Sequence, residues 1–237
     1  LVPGLVRRLS LMAMPRQISG PMSLLGGLST RDAAGLGWGA PTAYDLIHTS
    51  GRVRSGETVL IHAAAGSVGT FAAQFARIAG AGRIVGVVGN PARAGYAAQF
   101  GYDQILLREE LPAGLGDGKV DVILDPVGGQ TRRDGLGRLN PHGRLVAYGN
   151  LATYEPVVAD INTLLANGAS LVTHNSNLLS RTHPERLAAS AAAVLGMIAA
   201  GQVRVDITAE YELADLSVAV GHLAEGRTLG KSIIRVA

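Results

Sequence analysis

Residues 58–69 read Thr-Val-Leu-Ile-His-Ala-Ala-Ala-Gly-Ser-Val-Gly, an apolar, strand-like run that passes through a turn of small residues into a helical stretch. Few local patterns restrict a fold more. Small residues at 63–66 let backbone approach a diphosphate, whose charge is met by free N–H groups and by the positive end of a helix starting near Ser67. Gly69 lets that helix pack against a sheet. Alanine stands where many such turns carry their first glycine, so the motif alone also fits a tight turn without a ligand.

From Glu57 onward, short β-branched runs alternate with helical stretches, the signature of βαβ units that build a parallel sheet. The strand candidates are 57–63, 83–88, 104–107, 120–125, 143–149 and 169–175. Between the first two, Val68, Phe71, Ala72, Phe75 and Ile78 share one face of a helix over 68–79, with Gly80 and Gly82 ending it. A shorter helix is predicted at 130–139, stopped by Asn140-Pro141, and the longest at 187–200, closed by Gly201. Strands at 203–207 and 231–236 bracket a helix near 213–224. The expectation is an α/β fold, a Rossmann-type doubly wound parallel sheet of about six strands. Before Gly51, glycine and proline punctuate the chain and no clean periodicity survives.

Composition narrows the classes. A net charge of +3, spread without runs, is too mild for a nucleic-acid footprint. Zero cysteines removes disulfides and thiolate metal sites, and the six histidines form no spaced pair, so no metal is expected. The longest apolar-rich run, 187–200, falls short of the roughly 20 residues a membrane span requires. A cytoplasmic protein is expected. Arg7 and Arg8 before a short Leu- and Met-rich stretch have only a superficial likeness to a signal sequence, and Leu11, Met12 and Met14 are read as core cover.

The second strand ends Gly-Val-Val-Gly-Asn-Pro-Ala-Arg at 86–93, about 20 residues past the turn, where an acid would normally hold the ribose 2′-hydroxyl of NAD. No acid is present. Asn90 offers a hydrogen bond and Arg93 a partner for a 2′-phosphate, so the charge logic favours NADP, with a solvated surface arginine as the plain alternative.

With these residues in view, 62–69 (HAAAGSVG) resembles the HAAAGGVG turn of the zinc-free medium-chain dehydrogenases/reductases, in their quinone oxidoreductase branch. Pro-Thr-Ala-Tyr at 41–44 resembles that family's L-T-A-Y, Asp-Pro-Val-Gly-Gly at 125–129 its D-x-V-G-G, Tyr-Gly-Asn at 148–150 its F-G-N, and Thr-Leu-Gly-Lys at 228–231 its closing T-x-G-K. The match runs in order from about Leu28 to the end of the chain. The resemblance implies that Ala65, Gly66, Ser67 and Val68 hold a pyrophosphate and that Asn90 and Arg93 hold the 2′-phosphate. It implies further that Thr42, Val127, Gly149 and Asn150 line the nicotinamide and its ribose, with Thr173 and His174 beside the carboxamide. Arg108 replaces an adenine-stacking tyrosine, and a guanidinium also stacks on a purine.

The implied activity is hydride transfer from NADPH to a quinone or an α,β-unsaturated carbonyl compound. The alternatives are an enoyl reductase domain of a polyketide synthase and a non-catalytic NADPH-binding protein. No catalytic side chain is identified; His62 reads as a packed residue and Asp125 as a turn cap. Residues 1–34 are expected to be a remnant or linker from a GroES-like substrate domain, 35–202 the dinucleotide-binding domain, and 203–237 a segment returning toward the substrate domain. The sixth strand, Ser-Leu-Val-Thr-His at 170–174, should lie at a sheet edge and pair with its copy in a homodimer, a loop over 175–184 being the competing cover.

Overall fold

Strands β1 (Thr58–His62), β2 (Arg83–Val88), β3 (Gln104–Leu107), β4 (Val120–Asp125), β5 (Leu139–Ala147) and β6 (Ser170–Thr173) form one parallel sheet in the order β3-β2-β1-β4-β5-β6. The computed structural model describes residues 29–116 and 118–236. Residues 11–14, read above as core cover, lie outside the described residues. Strand order reverses between β1 and β4, where Ile61 lies opposite Gly86 on one side and Leu124 on the other. In open α/β sheets such a reversal leaves a crevice beyond the carboxyl ends of the strands.

The central strands are apolar on both faces because both faces are covered. On one, Val59, Ile61, Ile84, Val122, Leu124 and Val146 pack with Phe71 and Phe75 of α3 (Ser67–Ile78), against which lies α2 (Gly39–Asp45), preceded by α1 (Thr30–Leu36). A π turn, Leu46–Ser50, prolongs α2 and buries Leu46 and Ile47. α4 (Pro91–Ala97) packs on the same face as α3, through Tyr96 and Ala97. On the other face Leu60, Val85, Ile123 and Leu145 meet Leu106, Leu111 and Leu115 near α5 (Leu111–Gly114) and α6 (Gly129–Leu136). Each such side chain contributes about 1.5–3 kcal/mol on full burial. Beyond β5 come α7 (Ile161–Asn167), α8 (Ser176–Thr182) and α9 (Pro184–Ala199). The chain closes with β7 (Ile207–Glu212), α10 (Leu216–Ala224) and β8 (Lys231–Arg235), whose strands pair in parallel as a separate two-stranded sheet.

Several boundaries differ from the expectations. The helix predicted to 139 ends at Leu136, because the Arg138 carbonyl accepts from the Val120 N–H and Leu139 already pairs with Val120. Asn140-Pro141 therefore lies inside β5, in a bulge between the Val120–Leu139 and Val122–Arg144 pairs, a place where a proline without an N–H is tolerated. The strand predicted at 203–207 forms at Ile207–Glu212 instead, with alternate residues half-buried, and 175–184 holds a helix, not a loop. β6 does lie at the sheet edge, with Leu171 exposed and Val172 packed on the core.

One polar anchor escaped the apolar pattern of β5. Arg144 is buried, pairs with both oxygens of Glu57 at 2.6 Å, and donates to the carbonyls of Gly51 and Arg52. It fastens the loop that delivers the chain to β1.

Candidate functional site

The turn after β1 is built by close approaches. Ala63 takes a left-handed conformation (φ +54°), Gly66 donates its N–H to the Ala63 carbonyl at 2.9 Å, and Gly66 ends extended as the N-cap of α3. Among the described residues no side chain caps α3, which leaves its first N–H groups without a side-chain partner there. A Cβ on Gly69 would lie 2.6 Å from the carbonyl oxygens of Ala63 and Ala64. Gly69 thus packs the helix onto the turn's own carbonyls, where the sheet was expected. Tyr102, unmarked in the sequence, supports the turn from below: its hydroxyl donates to the Gly69 carbonyl at 2.9 Å, with the Ala64 carbonyl at 3.3 Å. Its ring needs Gly86, whose Cβ would come within 2.9 Å of it. That glycine, interrupting a β-branched strand, was the available signal.

Two unsatisfied polar groups flank this turn. The Ser67 hydroxyl is buried with no partner among the described residues. The Lys231 ammonium has neither a carboxylate nor a hydrogen-bond acceptor there, and burial brings its pKa down to about 8. Both lie within 3.3 Å of the point a Cβ on Gly39 would occupy. A hidden cation without a counter-ion is costly unless an anion joins it. Lys231 was legible only as part of the T-x-G-K resemblance, with no role attached.

The other expected residues lie along the carboxyl ends of the strands. Past β2, the Asn90 side chain accepts the Arg93 N–H as N-cap of α4, while the Arg93 guanidinium donates to the carbonyls of Gly226 (2.5 Å) and Thr228 (3.5 Å). Arg93 is thus tethered, yet among the described residues it meets no carboxylate. Arg108, exposed past β3, reaches toward Gly89 and His62. Past β4, buried Asp125 accepts the N–H groups of Val127 (2.7 Å) and Gly128 (3.0 Å) on one oxygen and Arg132 (2.7 Å) on the other. Arg132, a second residue the sequence did not single out, continues to the Asn150 side chain (3.0 Å) and the Gly149 carbonyl (2.7 Å), joining the loops after β4 and β5. His62 is buried on the same side; burial drives its pKa down to about 4, Asp125 opposing and Arg108 assisting, so the ring is neutral.

At β6, Thr173 is exposed and the His174 ring is engaged on both nitrogens: Nδ1 with Ser50 Oγ at 3.1 Å, Nε2 with Ser176 Oγ at 2.9 Å. Ser176 Oγ meets Thr42 Oγ1 at 2.8 Å, and Thr42 donates to the Trp38 carbonyl at 2.8 Å. A cleft of about 280 Å³ opens beside this chain, lined by Asp45, Ser50, His174 and Arg186 among others.

A sheet reversing at β1/β4, with a small-residue turn leading into a helix N-terminus and with Arg93 and Lys231 meeting no carboxylate among the described residues, defines a Rossmann domain of the dinucleotide-binding kind. The profile of the family described as zinc-binding dehydrogenase matches residues 67–192, and the chain belongs to that family, the medium-chain dehydrogenases/reductases, where it is quinone oxidoreductase-like. It is 34% identical over 215 residues to a quinone oxidoreductase of Pseudomonas aeruginosa, an alignment that covers 88% of this chain and 65% of that protein. It is 29% identical over 216 residues to phthioceranic/hydroxyphthioceranic acid synthase of Mycobacterium tuberculosis, covering 89% of this chain and 10% of the synthase. Among solved structures, Escherichia coli quinone oxidoreductase complexed with NADPH superposes with a TM-score of 0.75 at 29% identity, over 90% of this chain and 67% of that one. The chain thus spans about two thirds of the length of these quinone oxidoreductases.

Proposed function

We propose that the chain binds NADPH along this rim and reduces a quinone or an α,β-unsaturated carbonyl compound. The observation that carries the reading is the meeting, at one small-residue turn, of the Lys231 ammonium, the Ser67 hydroxyl and the α3 N-terminus, none of which has a side-chain partner among the described residues. Such a set fits a diphosphate. In this reading Ala65, Gly66, Ser67 and Val68 receive the pyrophosphate, Asn90 and Arg93 the 2′-phosphate, and Arg108 the adenine face. Thr42, Val127, Gly149 and Asn150 line the nicotinamide side, with Thr173 and His174 at its far end. When bound, the dinucleotide supplies the hydride. The chain's own work is to orient it through the braced loops after β4 and β5, to neutralise its phosphates, and to keep water from the reacting face. In this reading no residue of the chain is assigned to a metal. Residues 35–202 act as the nucleotide domain and 203–237 as the segment that returns toward a substrate domain. The likeness to a polyketide synthase favours enoyl substrates as a second reading.

The cofactor assignment is tested at Arg93. Arg93→Ala should lower the ratio of NADPH to NADH affinity by roughly 10- to 100-fold, about 1.5–3 kcal/mol for a hydrogen bond to a charged group. Calorimetric titration of both nucleotides measures it, and an unchanged ratio leaves Arg93 only its tether to Gly226 and Thr228.

The chain is further proposed to pair through β6 as a homodimer. An edge strand presents unpaired N–H and C=O groups, and Leu171 on β6 and the adjoining Ile161 and Leu165 of α7 are exposed. Light scattering at micromolar concentration should report a dimer, and Leu171→Lys a monomer of unchanged melting temperature; a wild-type monomer at every concentration refutes the pairing.

A further inference from the structure

We infer that Ser50, His174, Ser176 and Thr42 form a one-directional proton relay, leading from the cleft beside α8 to the Thr42 hydroxyl on the nicotinamide side of the rim. The inference rests on the NADPH-dependent reduction proposed above and adds to it the source of the second hydrogen. Reducing a C=C or C=O bond with NADPH needs a hydride and one proton: NADPH and H⁺ are consumed, NADP⁺ and the reduced acceptor are released. A site closed against water must bring that proton in by another route.

Hydrogen-bond accounting sets the direction. A hydroxyl has one proton to donate, and a neutral imidazole has one donor and one acceptor nitrogen. Thr42 spends its proton on the Trp38 carbonyl, so at the 2.8 Å contact Ser176 must be the donor to Thr42. Ser176 is then an acceptor toward His174, which places the imidazole proton on Nε2. Nδ1 is left to accept from Ser50 at 3.1 Å. Every link thus points from the cleft to Thr42. Burial keeps the ring neutral by lowering its pKa; Asp45 from α2 opposes that shift and Arg186 from α9 assists it, the charged groups that line the same cleft.

The position of Thr42 gives the relay its outlet. It lies one turn along α2 from Gly39, on the same face, and Gly39 abuts Ser67 at the pyrophosphate turn. His174 and Ser176 follow β6, in the half of the sheet (β4–β6) that takes the nicotinamide side of a dinucleotide. When Thr42 turns from the Trp38 carbonyl and gives its proton to the anion left by hydride addition, Ser176 replaces it. The Nε2 proton then moves to Ser176, the Ser50 proton to Nδ1, and water in the cleft restores Ser50. One proton has reached the product, and the imidazole ends as the Nδ1–H tautomer. Once the product has left, the hydroxyls rotate back and exchange of the ring protons with solvent returns the imidazole to its Nε2–H tautomer.

The test removes the middle link, Ser176→Ala, with Ser176→Thr as the variant that keeps the hydroxyl. With a small para-quinone or crotonyl thioester as acceptor, Ser176→Ala should lower kcat by roughly 100-fold or more, the range of lost proton transfer. NADPH affinity should stay within twofold, the solvent deuterium isotope effect should rise, and Ser176→Thr should restore both. Independently of the cofactor, ¹⁵N imidazole spectra of the free protein should show His174 protonated on Nε2 in the wild type and lose that preference in Ser176→Ala. A wild-type Nδ1–H tautomer, or a Ser176→Ala protein with unchanged kcat and isotope effect, overturns the relay. Failure of the wild type to bind NADPH overturns instead the cofactor reading beneath it.

Discussion

Gly66→Val should weaken NADPH binding by more than 100-fold, about 2.7 kcal/mol, while leaving a folded protein. Gly66 sits at φ −81°, ψ 167°, a conformation open to any L-residue, and a Cβ there would lie 3.1 Å from the Ala63 carbonyl, tight but tolerable. The branches of valine would instead fill the space above the turn that a diphosphate needs. Gly69→Val is the informative contrast. Its Cβ would press to 2.6 Å on two backbone oxygens, so that variant should lose stability as well as binding. Calorimetry with NADPH and melting curves on both proteins separate the cases; wild-type affinity in Gly66→Val would remove the turn from the binding site.

Arg144→Met should cost about 3–5 kcal/mol of stability, the usual penalty for breaking a buried pair from one side. The Glu57 carboxylate would lose its bidentate partner, and the carbonyls of Gly51 and Arg52 would lose their donor. Glu57 keeps some solvent contact, which places the expected loss nearer the lower figure. Adding Glu57→Gln should recover part of it by removing the stranded charge. Urea midpoints at constant m-value read the difference, and a loss below about 1 kcal/mol would show that the pair contributes no more than an exposed one.

The central sheet was legible because its strands are continuous apolar runs bounded by glycine and polar residues: β2, β3 and β4 fall at the expected 83–88, 104–107 and 120–125. β5 and β7 were misplaced where long-range pairing overrode a local stop signal, at Asn140-Pro141, or where alternation was too weak to set a register. At the rim, the residues that the resemblance named lie at or just past the carboxyl ends of strands, in the turn into α3 or, like Thr42, on a helix beside α3. What holds them was hidden. Tyr102 under the turn, Arg132 between two loops, Arg144 behind β1 and Lys231 beside Ser67 act through partners more than ten residues away, apart from the Asp125–Arg132 contact. Contacts of that kind leave no periodicity to read. The loops they brace are the ones that would meet the cofactor, so the supporting side chains belong to the mechanism as much as the residues named by motif.

Isothermal titration of the wild-type chain with NADPH and, separately, with NADH decides whether this rim is a dinucleotide site. One NADPH per chain is predicted, bound more tightly than NADH: in the proposed site Arg93 and Lys231 would present positive charge to the phosphates, and no acid follows β2 to hold a ribose 2′-hydroxyl. No binding of either nucleotide, or NADH bound as well as NADPH, would contradict the account.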